Sequence, residues 1–321
     1  MRFTERTQRT RRKPMARPRI PPVAAGVAAA VAVGLAAGLW VVFPPETAGR
    51  ALAARPVVDL PLPWPAEGQS SAEVQNLGSL GSRGEQGPVP IASVTKVMTA
   101  YVVLKDHPLG PGEAGPRITV DEQAETESTS AEESSAPVRA GRLFSERDLL
   151  ALMLVPSGNN VARLLARWDA GSQDAFVAKM NREAATLGMT STSYTGASGV
   201  EDSTTSTATD QLRLAREVMK NPVIRAIAAT PSLRIDGVPG TVVNTNTLLG
   251  RDGVIGLKTG SSTAAGGALM WAARARDGAL ILGVVLHQNP GGSPAAGLRA
   301  ALENSEKLVA AIQRELPAAT R

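Results

Sequence analysis

Three short clusters in this chain carry side chains that can do chemistry together. Ser93-Val-Thr-Lys96 sets a hydroxyl and an amine three residues apart. Ser157-Gly-Asn159 offers a second hydroxyl beside a carboxamide, and Lys258-Thr259-Gly260 a second amine beside a third hydroxyl. A serine hydroxyl is a poor nucleophile near neutral pH and needs a base within hydrogen-bond reach. Residues three apart on a helix share a face, so a helix that starts at Ser93 brings the Lys96 amine to the Ser93 hydroxyl. To act as a base Lys96 must be neutral, which burial or a neighbouring cation such as Lys258 would favour. The helix N-terminus supplies free N–H groups and the positive dipole end where an oxyanion would form.

The other two clusters complete an acyl-transfer site. A serine at position 157 can relay a proton to a leaving amine, and the Asn159 amide can both donate to and accept from a peptide. Lys258 and Thr259 at a strand edge would meet a carboxylate, while Gly260 would leave room for substrate backbone. Each cluster also has an ordinary reading. Ser-x-x-Lys arises by chance about once in a protein of this size, Ser-Gly-Asn suits a helix cap, and Lys-Thr-Gly suits a strand end. Their combination and order point to a serine enzyme that cuts an acyl bond next to a free carboxylate.

The elements that must hold these clusters are readable from periodicity and turn signals. Alternation from Ala72 predicts a strand with a hairpin turn at Gly81 to Gly87. A helix runs from Ser93 to just before Pro108. Ser145-Glu-Arg-Asp148 caps a helix that Pro156 stops, and further helices follow from Asn159, from Ser172 to Gly188, and from Ala208 to Met219. From there the pattern turns to strands, with Gly266–Ala275 and Gly278–His287 forming a hairpin around Arg276-Asp277. A last helix spans Pro294 to Leu316. Helices in the middle and strands at both ends predict a mixed α/β fold. Its antiparallel sheet would be flanked by terminal helices on one side and a helical lobe on the other. Asp121 to Pro137 is an acidic, low-complexity run, expected to be a solvated excursion rather than a binder of cations or of a basic partner.

Composition narrows the class. The 321-residue chain has no Cys and only His107 and His287. That excludes disulfides and thiolate chemistry, makes a multi-His zinc site improbable, and leaves few candidate bases for a Ser-His-Asp arrangement. The net charge of +5 comes from residues 1–19, where eight basic residues face Glu5 alone. The basic balance is therefore a property of a tail and not of a nucleic-acid-binding face. Pro22 to Phe43 carries no charge and is long enough to span a bilayer. The expected organisation is a basic cytoplasmic tail (1–21), a transmembrane signal-anchor helix (22–43), a Pro/Ala-rich spacer (44–65) and an extracytoplasmic catalytic domain (66–316). A cleaved signal peptide, with Ala51-Leu-Ala53 as the processing site, is the alternative.

The motif set, with its neighbouring Pro90-Ile-Ala-Ser93, Met180-Asn181, Asn244-Thr-Asn246 and Lys258-Thr-Gly-Ser261 segments, resembles the D-alanyl-D-alanine carboxypeptidases. These are low-molecular-mass penicillin-binding serine peptidases. The resemblance runs from about residue 72 to 313 and implies a β-lactamase/penicillin-binding transpeptidase-like fold. It also implies roles: Ser93 as acylated nucleophile, Lys96 as general base, Ser157 as proton relay, and Asn159 as binder of the substrate amide. Lys258 and Thr259 would hold the terminal carboxylate, and the N–H groups of Ser93 and Ser261 would form the oxyanion hole. The implied partners are peptidoglycan stem peptides and, as covalent inhibitors, β-lactams; no metal or cofactor is called for. Ser261 stands where many members have an aromatic or His. The alternatives are a β-lactamase, disfavoured by the lack of a Glu-x-x-Leu-Asn element after the second motif, and a penicillin-binding sensor that stays acylated.

Overall fold

A computed structural model describes residues 59–316. The expected basic tail, the membrane helix over 22–43 and most of the spacer lie outside the described residues. Among the described residues no helix is long and apolar enough to cross a membrane.

The centre is an antiparallel five-stranded sheet. Its strands are β1 (Gln69–Val74), β2 (Gly78–Arg83), β3 (Val254–Ser262), β4 (Gly266–Arg274) and β5 (Leu280–Gln288), in the spatial order β2-β1-β5-β4-β3. Segments from early and late in the described chain therefore meet inside one sheet, with β1 against β5. The helices are α1 (Lys96–Asp106), α2 (Glu122–Glu127), α3 (Glu146–Leu154), α4 (Asn159–Ala170), α5 (Gln173–Thr186), α6 (Ala208–Val218), α7 (Pro222–Ala228) and α8 (Pro294–Glu315).

The sheet is buried on both faces, which is why β4 reads as an unbroken apolar run. Ala268, Met270 and Ala272 join the large core beneath the helical lobe. Leu269, Trp271 and Ala273 join a second core with Leu308, Val309 and Ile312 of α8. The expected layers are thus present. On the outer face α8 is joined by Leu60, Leu62 and Trp64, residues expected to be spacer. β1 also begins earlier than the expected Ala72.

Other local expectations change for identifiable reasons. The hairpin turn falls at Gln75-Asn76-Leu77, where Asn76 takes a left-handed φ of 67° and Leu77 N donates to Val74 O at 3.2 Å. Residues 81–83, the first part of the stretch where the turn is expected, are instead the end of edge strand β2. α7 lies where the sequence pattern predicts strand. Asn221 caps it, Pro222 sits in its first turn, and Val223, Ile224 and Ile227 are buried. The Ser145 cap forms as expected, its hydroxyl accepting from the N–H three residues on, and Ser172 caps the next-but-one helix in the same way.

Two glycines let α8 lie directly on the sheet. A Cβ on Gly267 would stand 1.8 Å from Gly297 O, and one on Gly297 would stand 2.5 Å from Gly267 N. Both obstacles are backbone, so neither can step aside. Gly278 in the β4–β5 turn has open space but a φ of +86°. Gly267→Ala should therefore cost about 3 kcal/mol or more of stability. Gly278→Ala should cost only the left-handed penalty of about 1–2 kcal/mol. Urea unfolding of the two variants checks this ranking.

Candidate active site

Ser93 sits in a 3₁₀ turn, Ala92–Thr95, that feeds α1. Ala92 holds a left-handed φ of 45°, a costly conformation for a residue with a Cβ. Among the described residues, neither the turn nor α1 uses a side chain as its cap. The Ser93 hydroxyl is therefore not spent on helix capping. It lies 2.8 Å from the Lys96 amine.

Lys96 is wholly buried. Its amine also reaches Asn159 Oδ1 at 2.5 Å and the Ser198 carbonyl at 2.7 Å. These two oxygens can only accept. A neutral amine has two N–H bonds and one lone pair. The two N–H bonds are taken by Asn159 and Ser198, so the lone pair is left for the Ser93 O–H. Burial, then the Lys258 and Arg163 cations, holds the Lys96 pKa well below the ordinary lysine range. The three oxygens suit an ammonium as well as an amine; burial and the neighbouring cations are what favour the free amine facing Ser93.

The second cluster arrives at the α3–α4 junction. Gly158 N donates to Leu152 O at 3.1 Å, and a Cβ on Gly158 would stand 2.8 Å from that same oxygen. This tight closure leaves Ser157 buried with a left-handed φ of 69°. Gly158 is the N-cap of α4 and makes no side-chain capping bond, so the ordinary capping reading of Ser-Gly-Asn does not apply. Among the described residues, the three hydrogen bonds of the Lys96 amine go to Ser93, Asn159 and Ser198 and none goes to Ser157.

The third cluster lies on β3, the edge strand beside the nucleophile turn. A Cβ on Gly260 would come 2.9 Å from Ile91 O and 3.0 Å from Ser93 N. The bare glycine thus lets β3 pack against the nucleophile turn. Thr259 is buried and its hydroxyl lies 2.5 Å from that of Thr245. Lys258 is almost wholly buried, and its amine reaches the Thr259 hydroxyl only at 3.5 Å. Burial lowers its pKa to about 7. Ser261 and Ser93 line one cleft of about 540 Å³, together with Asn159, Gly199 and Glu133.

Sequence reasoning missed several parts of this site. The Ala197-Ser-Gly199 segment docks on α1 through Lys96–Ser198 and a 2.7 Å bond from Thr99 Oγ1 to Ala197 O. Gly199, at φ +81°, would place a Cβ 2.0 Å from Ala92 O. The acidic run is also docked and not a free excursion. Asp121 receives two bonds from Arg167, at 2.7 and 2.8 Å. Arg163 holds Glu127 and Glu133, and Asn160 fixes both Ala124 and Ala136. The signal was the spacing of Asn159, Arg163 and Arg167, four apart on one face of α4. His107 is occupied elsewhere, 4.0 Å from the Trp168 ring and 3.3 Å from Asp169, whereas the Lys96 amine lies beside Ser93.

Comparison with known proteins follows the same lines. A family model described as D-alanyl-D-alanine carboxypeptidase matches residues 79–289. A D-alanyl-D-alanine carboxypeptidase of Mycobacterium tuberculosis is 38% identical over 218 residues, covering 66% of this chain and 72% of that protein. A D-alanyl-D-alanine endopeptidase of Pseudomonas aeruginosa is 38% identical over 167 residues, covering 52% of each. The crystal structure of the Streptomyces K15 DD-transpeptidase has a TM-score of 0.68 at 25% identity, covering 79% of this chain and 98% of that one. A penicillin-binding protein homologue from Mycobacterium tuberculosis has a TM-score of 0.68 at 31% identity, covering 83% and 98%.

Lys258 allows a test of carboxylate binding. Its folded pKa lies below its unfolded value, so between about 7 and about 10.4 only the unfolded chain and the anion-bound state favour the extra proton. Affinity for a small N-acyl amino acid should therefore fall as pH rises above 7, by up to about tenfold per unit. Its methyl ester should bind with little pH dependence over that range. NMR titrations of both ligands measure the difference.

Proposed function

Since the chain belongs to the D-alanyl-D-alanine carboxypeptidase family, we propose that it removes the terminal D-alanine from peptidoglycan stem pentapeptides through an acyl-enzyme on Ser93. The observation that carries this reading is the buried Lys96 amine, whose two carbonyl partners leave its lone pair for the Ser93 hydroxyl. Ser93 Oγ attacks the carbonyl carbon of the penultimate residue while its proton passes to Lys96. The developing oxyanion is held by the Ser93 and Ser261 N–H groups. The C–N bond then breaks. The leaving amine takes the proton through the Ser157 hydroxyl and departs as D-alanine. In the second step water attacks the ester, its proton goes to the Lys96 amine, and the C–O bond to Ser93 breaks with the oxygen reprotonated.

Substrate placement follows from the polar groups around the cleft. Asn159 contacts the substrate amide, and Lys258 with Thr259 receives the terminal carboxylate, supplying the buried cation with a counter-charge. A β-lactam presents the same carboxylate and a strained amide, so it acylates Ser93 in the same way. The basic tail and the uncharged stretch over 22–43 support an N-terminal membrane anchor with the catalytic domain on the extracytoplasmic side, where peptidoglycan lies.

The test is D-alanine release from a stem pentapeptide, with a cross-linked dimer assayed in parallel. Wild type should release D-alanine from the pentapeptide, and Ser93→Ala should lose at least about 10³-fold in rate. Labelled penicillin should attach to Ser93 alone. Rapid penicillin hydrolysis without D-alanine release would make the chain a β-lactamase. Cleavage of the dimer alone would make it an endopeptidase.

A further inference from the structure

The acidic segment, unassigned by the reaction above, ends beside the reacting groups. Glu133 lines the same cleft as Ser93 and Asn159. Its Oε2 accepts from Asn159 Nδ2 at 2.9 Å and from Arg163 Nη1 at 3.2 Å, and its Oε1 accepts from Arg163 Nη2. The backbone of the same segment grips α4 as well, with Ser134 O accepting from Asn159 N at 2.9 Å. Asn159 and Arg163 are one helical turn apart, so one carboxylate bridges both.

An ionised carboxylate can only accept, whereas a carboxamide can turn either its oxygen or its nitrogen toward a neighbour. With Nδ2 committed to Glu133, Asn159 must face Lys96 with Oδ1. In the flipped amide an N–H would point at Lys96 and compete with the Ser93 hydroxyl for the amine lone pair. We propose that Glu133, clamped by Arg163, is a positioning residue that fixes the Asn159 carboxamide and so reserves the Lys96 lone pair for Ser93. This inference rests on the serine carboxypeptidase reading.

The charges around Lys96 fit that role. Lys258 on β3 and Arg163 on α4 lower its proton affinity, while Glu133 and Glu201 raise it. Burial works against ionisation of Glu133, yet Arg163 and the Asn159 amide hold its pKa below the usual carboxylate value. A carboxylate so engaged is a poor proton acceptor, which separates it from a water-activating glutamate.

The experiment is the rate of Ser93 acylation by a fluorescent penicillin, followed against pH in the full-length protein. The variants are Glu133→Gln, Arg163→Gln and Arg163→Lys. Glutamine at 133 can donate as well as accept and frees the amide to flip, so acylation should slow about 10–100-fold. Its acid limb should move to lower pH because an anion near Lys96 is gone. Arg163→Gln should move the limb to higher pH. Arg163→Lys, which keeps the charge and is the variant most certain to fold, should slow acylation with the limb in place. An unmoved limb and wild-type rate in Glu133→Gln would overturn the positioning role. So would normal acylation with lost hydrolysis, which would make Glu133 a base for deacylation. Wild-type labelling at Ser93 is the control, and its absence overturns the functional reading itself.

Discussion

A lysine amine sealed from water cannot keep its proton cheaply, and the rest of the structure is arranged around that fact. Lys96 is wholly buried and meets two obligate acceptors and one hydroxyl. Each contact comes from a different part of the chain. The hydroxyl comes from the turn before α1, one oxygen from the start of α4, and one from the segment before Gly199. Such a convergence tolerates little slack, because a lost partner leaves a buried polar group unpaired. The glycines at the meeting points follow from this demand. Gly199 and Gly260 remove the Cβ atoms that would otherwise strike the backbone around Ser93.

The same burial acts on both lysines. Together with two nearby cations it lowers the proton affinity of Lys96. It also brings the Lys258 pKa to about 7. A carboxylate beside Lys258 would favour its charged form. Arg163 is held in place by Glu127 and Glu133, which satisfy its guanidinium and limit its effect on the base.

Much of the site was legible because its parts are local. The three-residue step from Ser93 to Lys96 is a helical spacing, and the Ser145 cap, the Pro156 stop and the Asp277-Gly278 turn leave direct marks in the sequence. The sheet hairpin of β4 and β5 was legible for the same reason. What escaped depends on distant partners. Nothing within Asp121 to Pro137 reveals that Arg163 and Arg167 await its acids, and a charge run without its complement reads as solvent-facing. The packing of Gly260 on the turn that carries Ser93 escaped because that turn lies far back in sequence. α7 was lost because its seven residues span too few turns for a period to declare itself. The turn at Asn76 was masked by the more conspicuous glycines after it.

The central claim is that Lys96 is a free amine in the resting protein. Carbon-13 NMR of lysine labelled at Cε measures this directly, with Lys96→Arg and Lys258→Arg used to assign the two displaced signals. The expected result is a Lys96 resonance that titrates well below the ordinary lysine range. A Lys96 signal that titrates with the surface lysines would contradict the account.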